Sequence, residues 1–425
     1  MKRFIAMALC SLIIYMNMLP LTAKAAAAPD IISETAVLID GVTGQVLYEK
    51  SAHRRMYPAS TTKILTGLLA VELGNMGDTI TFSHEAVYGI ERGSSHASIS
   101  EGEQLTLEQA MYALSIESAN DAAAGIGEYV AAKAGKGLSE LMTERAKAAG
   151  ALNSNFINAH GLPDDNHYTT AYDLAMIAKE CIKYDKFNEI FTAKTYSIPP
   201  TNKQSQTRTF NAANWFNNGV YIYDGNFAKE DVLMTKTGWT SEAQHTMVTA
   251  IDHDGMVLIA VVMKSVKDDY KYQDTEKLFN WALENFRKVD ISGQYIALCA
   301  DERINCDSSG KLYIAKEDII CEDTQVLMSI NDDVNNIKAE FSQPVLDSEM
   351  KNATMTATLY TGGGDGRTVM STVSARGIVS ERTAFVSTIP VAEVNMASDM
   401  AMCVIFGMLT FVAVMICDIL IGKRI

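Results

Sequence analysis

Apolar positions change their spacing several times along the chain, and each change marks an element. Residues 35–40 (Thr-Ala-Val-Leu-Ile-Asp) and 45–48 (Gln-Val-Leu-Tyr) are strand-like runs joined by Gly41-Val-Thr-Gly44, which predicts a β-hairpin. After Pro58 the period lengthens. Ile64, Leu65, Leu68, Leu69 and Val71 recur at helical spacing, so a helix is expected over 60–73. Thr106-Leu-Glu-Gln109 has the form of a capping box and opens a second helix running toward Ser115. The alanine-rich stretch 121–134 predicts a third helix, and the amphipathic stretch 170–184 a fourth. Strand character returns at 247–251 and 256–263 around the turn Asp252-His-Asp-Gly255, and 274–288 reads as a closing helix. Strands therefore come from both ends of this region and helices from its middle. One sheet built from both ends and packed by helices is the economical arrangement, an α+β fold.

Beyond it the pattern shortens. Alternating runs at 294–298, 325–330 and 353–360, with the turn Gly362-Gly-Gly-Asp-Gly366, predict a separate small all-β domain. The two ends differ again. Lys2 and Arg3 precede an apolar stretch over 4–19, Pro20 breaks it, and Ala23-Lys24-Ala25 offers a small-x-small cleavage site, the order of a secretory signal. Residues 401–421 carry one charge, Asp418, and are followed by Lys423 and Arg424. At helical rise that stretch is about 31 Å long, enough to cross a bilayer with the basic pair left inside and the bulk of the protein outside. It has no polar face of the kind an interfacial helix needs. The expected organisation is a signal peptide at 1–25, a principal domain at 26–288, a small β domain at 289–394 and a transmembrane anchor at 400–422.

Composition narrows the function. Of 425 residues, 48% are hydrophobic and 20% charged, so the chain is globular with room for two domains. Cleavage of the signal removes Lys2, Arg3 and Lys24 and takes the net charge from −15 to −18, which argues against nucleic acid as a partner. Of seven cysteines, Cys10 lies in the signal and Cys403 and Cys417 in the anchor. Cys181, Cys299, Cys306 and Cys321 remain, and export permits a disulfide within the last three without fixing the pairing. Seven scattered histidines and no CxxC or HExxH spacing suggest neither a metal site nor a cofactor.

Three short motifs stand in chain order: Ser60-Thr-Thr-Lys63, Ser118-Ala-Asn120 and Lys236-Thr-Gly238. Each alone is weak, since Ser308-Ser-Gly-Lys311, Ser348-Glu-Met-Lys351 and Ser329-Ile-Asn331 also fit the first two. Context separates them. Ser60 and Lys63 open a helix, where side chains three apart share a face. A lysine there can take the serine's proton if burial and a second cation, Lys236, lower its pKa. Backbone N–H groups at the helix start suit an oxyanion. Ser118 and Asn120 interrupt a helical region and can turn into a cleft. Lys236 and the small Gly238 precede an apolar hairpin, where a strand edge leaves room for an extended peptide.

Together these motifs, with Tyr57-Pro-Ala, Ser115-Ile-Glu-Ser-Ala-Asn-Asp-Ala122, Asn158-Ala-His-Gly-Leu162, Thr170-Ala-Tyr-Asp-Leu-Ala175 and Lys236-Thr-Gly-Trp-Thr240, resemble the low-molecular-mass penicillin-binding proteins, the serine-type D-Ala-D-Ala carboxypeptidase family. The likeness runs from about 35 to 286. It implies a β-lactamase/transpeptidase-like antiparallel sheet flanked by helices, peptidoglycan stem peptides as substrates and β-lactam antibiotics as covalent inhibitors. It also implies roles. Ser60 is the nucleophile and Lys63 its base; Ser118 and Lys236 carry the proton to the leaving D-alanine; Asn120 orients Lys63 and the acyl amide. The N–H groups of Ser60 and Trp239 take the oxyanion, Gly238 leaves room for the substrate, and Thr237 and Thr240 hold the terminal carboxylate. Three departures stand out: Ala119 where the family usually has Gly, Trp239 at a variable position, and Lys271 where an arginine is frequent. A lysine there lacks the two-pronged carboxylate contact. The full-length C-terminal span also departs from the amphipathic helix of many relatives.

A class A β-lactamase shares the first and third motifs but carries a deacylating glutamate in a later loop. No glutamate occurs here between Glu144 and Glu180. A DD-transpeptidase or endopeptidase of the same fold, differing in the acceptor or the bond cut, and a silent wall-binding protein complete the alternatives.

Overall fold

The computed structural model describes residues 27–218, 229–290, 303–308, 311–321, 325–361 and 368–381. The hydrophobic runs at the two ends of the principal domain meet in one antiparallel sheet of five strands. In spatial order these are Val46–Lys50, Thr35–Asp40, Met256–Ser265, Gln244–His253 and Val232–Thr240. Its register pairs Val37 with Val261 and Lys236 with Val248. The inner strands are apolar on both faces because both are covered. Val37, Ile39, Val248, Ala250, Ile259 and Val261 point into the helical side. Ala36, Leu38, Met247, Ile251, Leu258 and Val262 point to the other, against Leu278, Phe279 and Ala282 of the closing helix. That period of two is what strand geometry requires.

The helical side holds Lys63–Leu73, Leu107–Ile116, Asn120–Ala134 and Ala171–Cys181, close to the expected bounds. The capping box is formed: Gln109 N–H donates to Thr106 Oγ1 at 3.1 Å, and Thr106 N–H to Gln109 Oε1 at 2.9 Å. The closing helix is Asp268–Asn285, beginning six residues before the expected start. Its polar first turn hides the apolar period but suits a helix start, since Asp268 and Asp269 complement the dipole. Residues 286–288, expected as its tail, belong to a strand, Phe286–Asp290, paired with Gln325–Ser329, so the expected domain boundary at 288/289 runs through that strand. Cross-strand pairing here overrides a helical reading of Phe-Arg-Lys.

The later region forms an antiparallel sheet in the order Arg303–Asn305, Leu312–Cys321, Thr368–Glu381, Asn352–Thr361 and Lys338–Phe341, with Val345–Leu346 paired to Asn352–Thr361. It has its own core of Ile314, Val326, Met328, Met355, Ala357 and Leu359. Cys181 and Cys306 are free thiols, so Cys306 takes no part in the disulfide considered for its cluster; Cys299 lies outside the described residues. Among the described residues no helix is long and apolar enough to cross a membrane. The expected signal at 1–25 and anchor at 400–422 both lie outside the described residues.

Candidate active site

Ser60 does not sit in the α-helix but on a 3-10 turn, Ala59–Thr62, that feeds into it. In a 3-10 turn side chains three apart eclipse one another. Ser60 and Lys63 therefore meet directly, with Ser60 Oγ and Lys63 Nζ 2.8 Å apart. The turn is forced: Ala59 has φ +49°, a left-handed conformation that costs energy for a residue with a Cβ. Two glycines from distant parts of the chain hold it. A Cβ on Gly161 would fall 1.8 Å from the Ala59 carbonyl oxygen, and one on Gly238 would fall 2.8 Å from the Ser60 nitrogen. Gly238 thus lets the edge strand lie against the nucleophile's own backbone.

Lys63 is fully buried. In addition to its contact with Ser60 Oγ, Nζ donates two hydrogen bonds, to Asn120 Oδ1 at 2.7 Å and to the His160 carbonyl at 2.9 Å. Burial, then the Lys236 charge, push its pKa well below the usual lysine range, and Asp121 opposes them. A neutral amine has two N–H bonds and one lone pair. Asn120 and the His160 carbonyl satisfy the two N–H groups, leaving the lone pair for the Ser60 hydroxyl. The surroundings therefore favour a base.

Ser118 also has a positive φ, +55°, which turns its hydroxyl into the cleft before the next helix starts at Asn120. Its Oγ accepts a hydrogen bond from Lys236 Nζ at 2.9 Å, and the same Nζ donates to the Thr237 carbonyl at 2.9 Å. Ala119 has φ −62° and ψ 124°. The strained conformation falls on Ser118, so the middle of this motif needs no glycine. Lys236 is buried, and desolvation together with Lys271 lowers its pKa to about 7.

Two lobes of a cleft meet at Ser60, with Ser95 and the exposed Trp239 lining both. The first, of about 360 Å³, contains Ser118, Lys236, Thr237, Gly238, His245 and Lys271. The second, of about 430 Å³, contains Arg92, Asn120, Leu162, Thr240 and Glu242. Thr237 and Thr240, expected to act on one carboxylate, thus open onto different lobes. They are three apart in the Val232–Thr240 strand, and side chains at that separation leave opposite faces. Thr240 Oγ1 instead accepts from Ala243 N–H at 3.1 Å.

Sequence reasoning passed over two histidines beside this site, the buried His167 and the half-buried His160. His167 Nδ1 accepts from the N–H groups of Ile157 at 3.2 Å and Asn158 at 3.4 Å, so its Nε2 carries the proton and donates to Thr62 Oγ1 at 2.9 Å. Burial lowers its pKa to about 4, and burial with the Lys63 charge lowers that of His160 to about 3. Both stay neutral, and His167 ties the nucleophile turn to the loop whose carbonyl receives Lys63. The segment Asn158-Ala-His-Gly-Leu162 was the available signal. Asp121, next to Asn120, was also missed; its carboxylate accepts from the N–H groups of Ala97 at 2.9 Å and Ile99 at 3.0 Å and so fixes the loop above the cleft.

The family model for D-alanyl-D-alanine carboxypeptidase, peptidase S11, matches residues 22–267. The chain is 28% identical over 316 residues to D-alanyl-D-alanine carboxypeptidase DacF of Bacillus subtilis, covering 72% of this chain and 75% of the relative. It is 29% identical over 270 residues to DacA of Escherichia coli, covering 62% of this chain and 63% of the relative. A variant of the Streptomyces K15 DD-transpeptidase superposes with a TM-score of 0.54 at 25% identity, covering 60% of this chain and 99% of that one. The D-alanyl-D-alanine carboxypeptidase DacD of Francisella tularensis shares the fold over 85% of this chain and 97% of its own, with a TM-score of 0.60 at 19% identity. A seryl hydroxyl held against a buried lysine, on a chain matched by that family model over more than half its length, leads to one assignment: the chain belongs to the D-alanyl-D-alanine carboxypeptidase family, peptidase S11.

Proposed function

We propose that this chain is a serine-type D-Ala-D-Ala carboxypeptidase that removes the terminal D-alanine from peptidoglycan stem pentapeptides and is acylated by penicillins at the same serine. The observation that carries the reading is the buried Lys63, whose two N–H bonds are taken by neutral acceptors while its third direction faces Ser60 Oγ. Lys63 takes the hydroxyl proton as Ser60 Oγ attacks the carbonyl between the two D-alanines. The oxyanion forms between the N–H groups of Ser60 and Trp239, the kind of fixed donor pair that strengthens as charge develops. When the C–N bond breaks, Lys236 supplies a proton to the leaving amine through Ser118 Oγ. D-Alanine departs, Lys63 passes the Ser60 proton back to Lys236 through Ser118 Oγ, and the neutral Lys63 then takes a proton from water and returns it to Ser60 Oγ as the ester is hydrolysed.

The substrate's terminal carboxylate lies in the lobe of Thr237 and Lys271, and the stem peptide extends along the other lobe past Thr240. Asn120 carries the acyl amide as well as Lys63. The domain reading keeps a signal at 1–25 and an anchor at 400–422, with the peptidase and the β unit meeting at the strand Phe286–Asp290 rather than at 288/289. The protein is then exported and held to the cytoplasmic membrane with its cleft outside, a reading supported by the charge and hydropathy pattern of the two ends.

Release of D-alanine from a soluble pentapeptide ending in D-Ala-D-Ala, with and without prior penicillin, tests the reading. Release that penicillin blocks is the expected result. Penicillin labelling with no release favours the transpeptidase, and neither signal favours the silent wall-binding protein.

A further inference from the structure

We propose that Asp268 is an internal counter-ion that occupies the cationic end of the cleft and competes with the carboxylate of an incoming ligand. The inference rests on the reading of that lobe as the place of the substrate terminus. Lys271 is 2% exposed. Its Nζ donates to the Asp268 carbonyl at 3.1 Å and forms an ion pair with Asp268 Oδ1, and the Tyr272 ring lies 4.5 Å away. The same oxygen, Asp268 Oδ1, stands 3.0 Å from His245 Nδ1. One carboxylate oxygen therefore serves two of the three basic groups, Lys236, His245 and Lys271, that line the lobe.

The two partners differ in freedom. Lys271 is locked in the protein, whereas the Asp268 side chain is 53% exposed on the first turn of its helix. A carboxylate that enters the lobe can push Asp268 into water, but Lys271 cannot follow it. The ligand then pays for displacement, and its apparent affinity is its intrinsic affinity multiplied by the fraction of molecules in which Lys271 is disengaged. An arginine at 271 could serve an internal and an external carboxylate on separate edges of its planar fork. A lysine offers a single point charge, so the two compete.

Asp268→Asn, made in the full chain, tests this. The readout is the ratio of kcat/KM for a diacylated L-Lys-D-Ala-D-Ala to that for its C-terminal amide. The ratio is expected to rise by about two- to five-fold, the scale of a half-exposed ion pair. The gain should vanish in the double variant with Lys271→Gln. A ratio that falls would make Asp268 a support that holds Lys271 in place, and a ratio that does not move would remove it from ligand discrimination; either overturns the proposal. Asp268→Ser, which also suits a helix start, gives the same reading should the asparagine variant fold poorly. Calorimetric binding of N-acetyl-D-alanine and of its amide measures the contest without catalysis. A chain that hydrolysed neither peptide would fail the functional reading, while tighter binding of the acid alone in Asp268→Asn would still support the counter-ion and equal binding would overturn it.

Discussion

The tetrad Ser-x-x-Lys occurs three times, and its copies at Ser60–Lys63 and Ser348–Lys351 are chemically unlike. Lys351 is 75% exposed and pairs with Glu349 at 2.8 Å on a surface turn of the later sheet; no hydrogen bond joins it to Ser348. Lys63 is fully buried, forms no ion pair among the described residues, and makes its hydrogen bonds with Ser60, Asn120 and the His160 carbonyl. Four letters are shared and the environment is not. What makes a base is the removal of water together with acceptors that bear no full negative charge to hold the amine protonated. The first copy has both because a 3-10 turn, two glycines and the loop at His160 converge on it.

That contrast can be broken by substitution. Lys63→Met should lower the rate of penicillin acylation by roughly 10²–10⁴-fold, the usual worth of a positioned general base, while Lys351→Met leaves it alone. Stopped-flow acylation rates decide, and similar losses in both variants would end the comparison.

A smaller effect sharpens it. The positive charge of Lys236 lowers the pKa of Lys63. Removing that charge raises the Lys63 pKa toward the ordinary lysine value, so a higher pH is needed to free its lone pair. In Lys236→Gln the acid limb of the acylation–pH profile should therefore move to higher pH, and in Lys236→Arg it should stay near the wild-type position despite slower turnover. A shift toward lower pH in Lys236→Gln would contradict the electrostatic part of the account.

Much of this site was legible before any coordinates. Spacing alone brought Ser60 and Lys63 to one face, and the break in helical pattern before Asn120 located Ser118 in a bend. The apolar runs at 247–251 and 256–263 read as a hairpin, and they form strands of a sheet buried on both faces. The losses have physical causes. The closing helix begins in a polar turn with no apolar period, so its start and Asp268 went unseen. Residues 286–290 depend on a partner strand about forty residues away, which no local pattern encodes. His160 contributes a backbone carbonyl, and any residue has one; only the fold aims it at Lys63. The family resemblance groups Thr237 and Thr240 on one carboxylate, and the strand's period of two turns them to different lobes.

The central claim is that the buried copy of the tetrad holds the nucleophile. Mass spectrometry of the penicillin-treated protein after proteolysis tests it directly. The account predicts a single penicilloyl adduct on the peptide containing Ser60, absent from a folded Ser60→Ala variant. An adduct on any other serine, or one that persists in Ser60→Ala, would contradict it.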